Sequence, residues 1–285
     1  MLGIAALALL SATAAPAATA PVGACQFSPA TFDFAGVPVD QARCLLRPVL
    51  RGGAQGPELA ALPPALATRV GQPFTLEAAA LQRAFGDDPA LEELLRHTDS
   101  GISHGGGELN LAARYFVIHD TSTPRIGPRD FPIPLEDIPR LNAFAWYRTA
   151  DPPGHAFINR DGDVFVGHDF SKPLRETKLE DGDRGGVLGA RGLFIHIELV
   201  QPRRDDPELL PDNGAIAPDP GFTPKQYRRL AQLYVLASAR AGVWLVPGFH
   251  ANIDRWFRGA HDDPQNFSLD DFGAALQTVI GDIED

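Results

Sequence analysis

The chain has 285 residues, 44% of them hydrophobic and 21% charged, enough for one large globular domain or two small ones with a sizeable core. Its formal net charge is −11, and no lysine or arginine cluster stands out. Nucleic acid and anionic membrane surfaces both require a basic face, so neither is expected as the principal partner.

Residues 2–15, LGIAALALLSATAA, are apolar and small but too few to span a bilayer as a helix. Ala15-Pro16-Ala17 and Ala18-Thr19-Ala20 are both small-x-small cleavage patterns, so residues 1–20 are expected to be an export signal, although no positively charged segment precedes the apolar run. The two cysteines, Cys25 and Cys44, are expected to form a disulfide in an oxidising compartment. Two alternatives stay open: two free thiols, or a lipid anchor at Cys25, because Val22-Gly23-Ala24-Cys25 loosely resembles a bacterial lipobox. No other segment is long and apolar enough to cross a membrane. The expected location is the periplasm or the extracellular space, with a membrane-anchored lipoprotein as the variant.

Residues 21–110 read as a mainly helical extension. Asp40 is positioned to cap a short helix in QARCLLRPVL, and Thr75 precedes a second, LEAAALQRAF. Asp88-Pro89, a cap followed by proline at the first helical position, opens a third, ALEELLRH. The stretch SGISHGGGELN then breaks the pattern, which puts a boundary near residue 110. From 111 to 285 strands and helices alternate. LAARYFVIH reads as a strand, and residues 124–140, with five prolines, as a loop. GHAFINRDGDVFVG reads as a hairpin turning at Asp161-Gly162. GLFIHIELV is a further strand, followed by a polar loop over 201–222. Thr223-Pro224-Lys225-Gln226 is a capping box with proline at the first helical position, and Gly242 ends the helix it starts. VWLVPGFH is a short strand, and Ser268 caps a last helix with Phe272, Leu276 and Val279 on one face. This order, hairpin included, predicts an α/β fold with a central mixed β-sheet flanked by helices, behind the helical extension.

Two of these strands each deliver a histidine at their end. YFVIH closes on His119 and VWLVPGFH on His250. Asp263 follows in GAHDDPQNF, with Asp262 beside it as the rival carboxylate. Two histidines and a carboxylate are a usual ligand set for catalytic zinc, and the absence of any cysteine after residue 44 excludes a thiolate-rich structural site. Trp256 lies in the loop between His250 and Asp263, where an aromatic ring could stack on a glycan.

Five segments, in order over residues 112–275, resemble the zinc-dependent N-acetylmuramoyl-L-alanine amidases of the type-2 amidase and peptidoglycan-recognition-protein family. They are VIHDTST, GHAFINRDGDVFV, FIHIELV, FTPKQYRRLAQL, and GFHANID with HDDPQNF. The resemblance implies that residues 111–285 form the amidase domain. It also implies one Zn²⁺ per chain on His119, His250 and Asp263, with Glu198 as the catalytic glutamate. The implied reaction is hydrolysis of the amide between N-acetylmuramic acid and L-alanine in peptidoglycan or muropeptides. His155 matches the histidine of the family's hairpin and is expected near the cleft.

Three departures from the family pattern stand out. His261 occupies the place of a lysine that steadies the oxyanion, a role a histidine can fill with full charge only when protonated. Gly154 stands where some phage-type relatives carry a functional tyrosine, which points to the glutamate-using branch. His196 replaces a glycine; on a strand it shares a face with Glu198, so it could line the cleft or substitute for the missing lysine. The rival to an enzyme is a peptidoglycan-binding protein of the same fold that has lost catalysis. The acidic charge fits soluble fragments better than the intact anionic wall.

Overall fold

Short runs rich in β-branched and aromatic residues build the central sheet: β1 (Tyr115–Asp120), β2 (Ala156–Ile158), β3 (Val164–Val166), β4 (Phe194–Leu199) and β5 (Val246–Phe249). The structure, a computed structural model, describes residues 25–97, 100–206, 208 and 215–285; the expected export signal lies outside them. The strand order is β5-β1-β4-β2-β3. The first four run parallel to their neighbours, and β2 and β3 form an antiparallel hairpin at one edge. The sheet is therefore mixed, and with its helices the fold is α/β, as expected.

The longer helices are α1 (Pro38–Leu45), α2 (Ala78–Phe85), α3 (Pro89–Arg96), α4 (Pro224–Ala241) and α5 (Leu269–Glu284). Capping chemistry sets three of the starts. Thr223 and Gln226 close a reciprocal capping box on α4, Asp88 accepts from the N–H groups of Ala90 and Leu91, and Ser268 accepts from that of Asp271. Two starts differ from the sequence reading. α1 begins at Pro38, whose preset φ and missing N–H suit a first helical position, so Asp40 lies in the first turn and caps nothing. α2 begins at Ala78 with no side-chain cap, which leaves Thr75 outside it.

Alternation along β1 and β4 divides the sheet into two faces. On one, Phe116 meets Tyr234 of α4 edge-on with ring centroids 5.1 Å apart, and α4 packs in turn against α5. On the other, Tyr115 stacks on Phe194 at 5.1 Å, and Phe27 and Phe34 of the N-terminal extension cover that pair. One large hydrophobic cluster runs from Cys25 and Phe27 through the sheet to Ile283. The change of sequence texture near residue 110 is thus crossed by continuous packing.

The extension also reaches the upper rim of the sheet. Asn252 Nδ2 donates to the carbonyls of Leu45 (2.9 Å) and Arg47 (2.8 Å), while its Oδ1 accepts from Gln55 Nε2 (2.8 Å). Val49 forms a β-bridge with Gln265. Cys25 and Cys44 are joined in a disulfide, which ties the first described residue to α1 and leaves no thiol at Cys25 for a lipid. Such bonds persist in oxidising compartments. Among the described residues, no helix is long and apolar enough to cross a membrane. With the two cysteines 19 positions apart in sequence, replacing both by serine is expected to lower unfolding stability by about 3 kcal/mol, measured by denaturant titration against the parent. A change below about 0.5 kcal/mol would mean that the extension is held by packing alone.

Candidate metal centre

His119 is the penultimate residue of β1, and its register partner on β4 is Glu198, so the two side chains rise from the same face of adjacent parallel strands. β5 lies parallel on the other side of β1 and stops at Phe249. His250 follows as the first residue of a one-turn helix, His250–Ile253, and does not end the strand as the sequence suggested. All three thus stand at the carboxyl edge of parallel strands, where open α/β sheets bind ligands. Asp263 arrives from the loop beyond. Its carbonyl accepts from the Ala251 N–H (2.9 Å), and its Oδ2 accepts from the Asp120 N–H (3.2 Å).

The resulting cluster is buried and tight. Nδ1 of His119 lies 2.9 Å from Nδ1 of His250, and His250 Nδ1 lies 3.1 Å from Asp263 Oδ1. One donor atom from each of His119, His250 and Asp263 falls within 4.8 Å of the others, so this group can hold a metal ion. The donor chemistry fits a borderline cation such as zinc: two imidazole nitrogens and one carboxylate, with no thiolate. The second nitrogen of each ring is already engaged. His250 Nε2 meets Asp254 Oδ2 at 2.9 Å, and His119 Nε2 meets His196 Nδ1 at 3.0 Å. What remains are two ring nitrogens and a carboxylate facing one another, an arrangement that a cation between them relieves.

Burial, then the neighbouring His250 and His196, holds the His119 imidazole well below its usual range, so it stays neutral. For His250, burial also opposes charge, but the Asp263 and Asp254 carboxylates outweigh it and raise the imidazole well above its usual range. Asp263 mirrors this: burial opposes its charge, and His250 overrides burial to keep it an anion. Glu198 is pushed well up by burial first and by Asp263 next. Its Oε1 lies 3.8 Å from His119 Nδ1, and its Oε2 is buried with no hydrogen-bond partner among the described residues. Gly154 supports this position. It adopts φ +101°, and a Cβ there would stand 3.0 Å from Glu198 Cγ, so a side chain at 154 would strain the backbone and crowd Glu198.

The other sequence-selected residues fall in different places. His261 stands at the mouth, half-exposed, with Nδ1 3.6 Å from Asp263 Oδ1 and its ring 4.2 Å from that of His250. His196 is fully buried behind His119 and does not line a cleft. His155 is also fully buried: Nδ1 accepts the His196 N–H (3.0 Å), and Nε2 donates to the Lys172 carbonyl (3.0 Å). Trp256 is 40% exposed beneath the Arg255 guanidinium. Asp262 turns to Gln265 Nε2 (2.6 Å) and to the buried Arg203, away from the three donors.

Two carboxylates at the site are not singled out by the sequence reading. Asp254 is four residues after His250, a spacing that one helical turn makes adjacent, so a signal for it is present. Glu180 carries no local signal; only folding brings it to His196 Nε2, 3.2 Å from its Oε2.

No family model matches this chain, and neither a curated protein nor a solved structure matches it.

Asp263→Ala is expected to abolish retention of a divalent metal after dialysis, and Asp262→Ala to leave it intact; elemental analysis reads both, and the reverse pattern would reassign the ligand. Affinity is also expected to depend on pH with a definite sign. Below the raised pKa of His250 its proton must be displaced, so affinity falls about tenfold per pH unit as pH drops, while neutral His119 releases none. Calorimetric titrations in buffers of different ionisation enthalpy count that proton.

Proposed function

We propose that this chain is an exported zinc hydrolase of the type-2 amidase and peptidoglycan-recognition fold. It cleaves the amide between N-acetylmuramic acid and L-alanine in peptidoglycan or its soluble fragments. The observation that carries the reading is the meeting of His119, His250 and Asp263 beside a buried carboxylate, Glu198, that has an unpartnered oxygen. These four residues come from segments that resemble the family, and they lie far apart in the chain. The disulfide adds support for export.

A zinc ion held by His119, His250 and Asp263 would supply the Lewis acid that polarises the scissile carbonyl and makes water nucleophilic near neutral pH. The chain's own residues do the rest. Asp263 stays ionised through its contact with His250 and so remains a donor. Glu198 Oε2, without a hydrogen-bond partner among the described residues, takes the proton from the attacking water as the water oxygen bonds to the lactyl carbonyl carbon. The raised proton affinity of Glu198 suits it to hold that proton and then deliver it to the departing nitrogen as the C–N bond breaks. The products are the lactyl carboxylate and a stem peptide with a free L-alanine amine. His261, half-exposed beside Asp263, would be the donor to the oxyanion that develops on the carbonyl oxygen.

Mass spectrometry of muropeptides incubated with the purified chain is expected to find free stem peptide beginning with L-alanine. Chelation should abolish it and added zinc restore it. Glu198→Gln should lower kcat/KM by about 10²–10⁴ while zinc is still bound. Tight zinc binding with no product from the parent chain would instead favour a non-catalytic peptidoglycan-binding protein.

A further inference from the structure

The two imidazoles are held from behind by one short turn. Glu180 is buried, and its Oε2 accepts from the Thr177 N–H (3.1 Å), the Thr177 hydroxyl (2.9 Å) and the Glu176 N–H (3.3 Å). A carboxylate so placed acts as an acceptor, so the His196 Nε2 that faces it must carry the proton. In a neutral ring the His196 Nδ1 is then a lone pair that accepts, and the His119 Nε2 at 3.0 Å donates to it. The proton count leaves His119 Nδ1 as a lone pair, turned toward His250 and Asp263.

His250 is fixed by the same turn through a different carboxylate. Asp254 Oδ1 accepts from the N–H groups of Lys178 (2.7 Å) and Leu179 (3.2 Å), and its Oδ2 accepts from His250 Nε2 (2.9 Å). Residues 177–180 therefore hold one ring through Glu180 and His196 and the other through Asp254. Lys178 Nζ also donates to the carbonyls of Arg258 and Gly259, which ties the turn to the loop that leads to His261. His155 keeps His196 in line: the two rings lie nearly parallel, 10° apart, at 5.8 Å.

We propose that residues 177–180 are the bracket of the metal centre, with Glu180 (acting through His196) and Asp254 as positioning residues that fix both histidines as Nδ1 donors. The proposal rests on the metal-site reading above. Carboxylates that accept the outer N–H of a ligating histidine fix its tautomer and ring orientation, and their loss typically costs 10–100-fold in metal affinity. Here one of the two acts across an interposed imidazole, which makes His196 part of the positioning chain and accounts for a large polar ring in a fully buried strand position.

The decisive measurement is long-range ¹H–¹⁵N correlation on the full chain, both chelator-stripped and zinc-loaded. His119 and His196 are expected as Nε2–H tautomers in both forms. His119 carrying its proton on Nδ1 in the stripped chain would overturn the bracket without recourse to any variant. In parallel, chelator-competition titrations should give Glu180→Gln and Asp254→Asn each a 10–100-fold weaker zinc affinity. Cobalt-substituted Glu180→Gln should show a visible spectrum shifted from that of the parent. Parent-like affinity, spectrum and tautomers in Glu180→Gln would overturn the role of Glu180 while leaving the metal site standing. A parent chain that bound no zinc would remove the hydrolase reading, and the histidine tautomers would still decide the bracket.

Discussion

Two imidazole nitrogens and a carboxylate, packed into a space from which water is largely excluded, repel one another unless a positive charge lies among them. That constraint organises this molecule. The Asp263 and Asp254 carboxylates on either side raise the His250 imidazole well above its usual range and so favour a proton there, while burial holds His119 well below its own. A divalent ion held there would do the same job with more charge at the same point. Buried polar groups of this density persist only when each remaining donor and acceptor is engaged, and here the outer nitrogens, the Asp254 carboxylate and the Glu180 carboxylate all are. Among the described residues, Glu198 Oε2 is a buried acceptor beside the three donors that has no hydrogen-bond partner. A buried acceptor left open beside such a cluster is where a ligand's proton fits.

The same sheet face serves two purposes at its two ends. Tyr115 and Phe194 begin β1 and β4 as an aromatic layer under Phe27 and Phe34, and His119 and Glu198 end the same strands as polar chemistry. Between them, Val117 pairs with His196, the first polar step. Because successive side chains on one face advance two residues at a time, the transition from apolar to reactive takes only four residues. The N-terminal extension lies where it can stiffen both ends. Its phenylalanines cover the apolar layer, and the segment from Leu45 to Gln55 grips Asn252 and Gln265, next to His250 and Asp263. Any displacement of that segment would be felt by two of the three metal-ligand candidates.

Much of this is legible in the sequence, and the reasons are local. Strand alternation, the Asp161-Gly162 turn and the Thr223 capping box are encoded within a few residues, and each element forms close to where its pattern lies. The pairing of His119 with His250 is visible because both follow apolar runs. What the sequence hides is long-range. That Asp263 rather than Asp262 faces the histidines depends on the Asp120 N–H and on Arg203, which engages Asp262 from a separate loop. Glu180 belongs to a turn with no helical or strand periodicity, so nothing nearby marks it. His196 looks like a cleft residue in the sequence because strand geometry gives the face of a side chain, not what covers that face.

Under the amidase reading proposed above, this last point bears on which histidine would serve as the donor to the oxyanion. An oxyanion donor needs an N–H that is free to turn toward substrate. His196 has none: Nε2–H is directed at Glu180, Nδ1 is occupied by His119, and the ring is fully buried. His261 meets the requirement. Its ring lies beside that of His250, one nitrogen leans toward Asp263, and half of the side chain reaches solvent at the mouth of the site. His196 and His261 therefore divide by depth. The buried one can only position a ligand, and the exposed one is the group that substrate could touch.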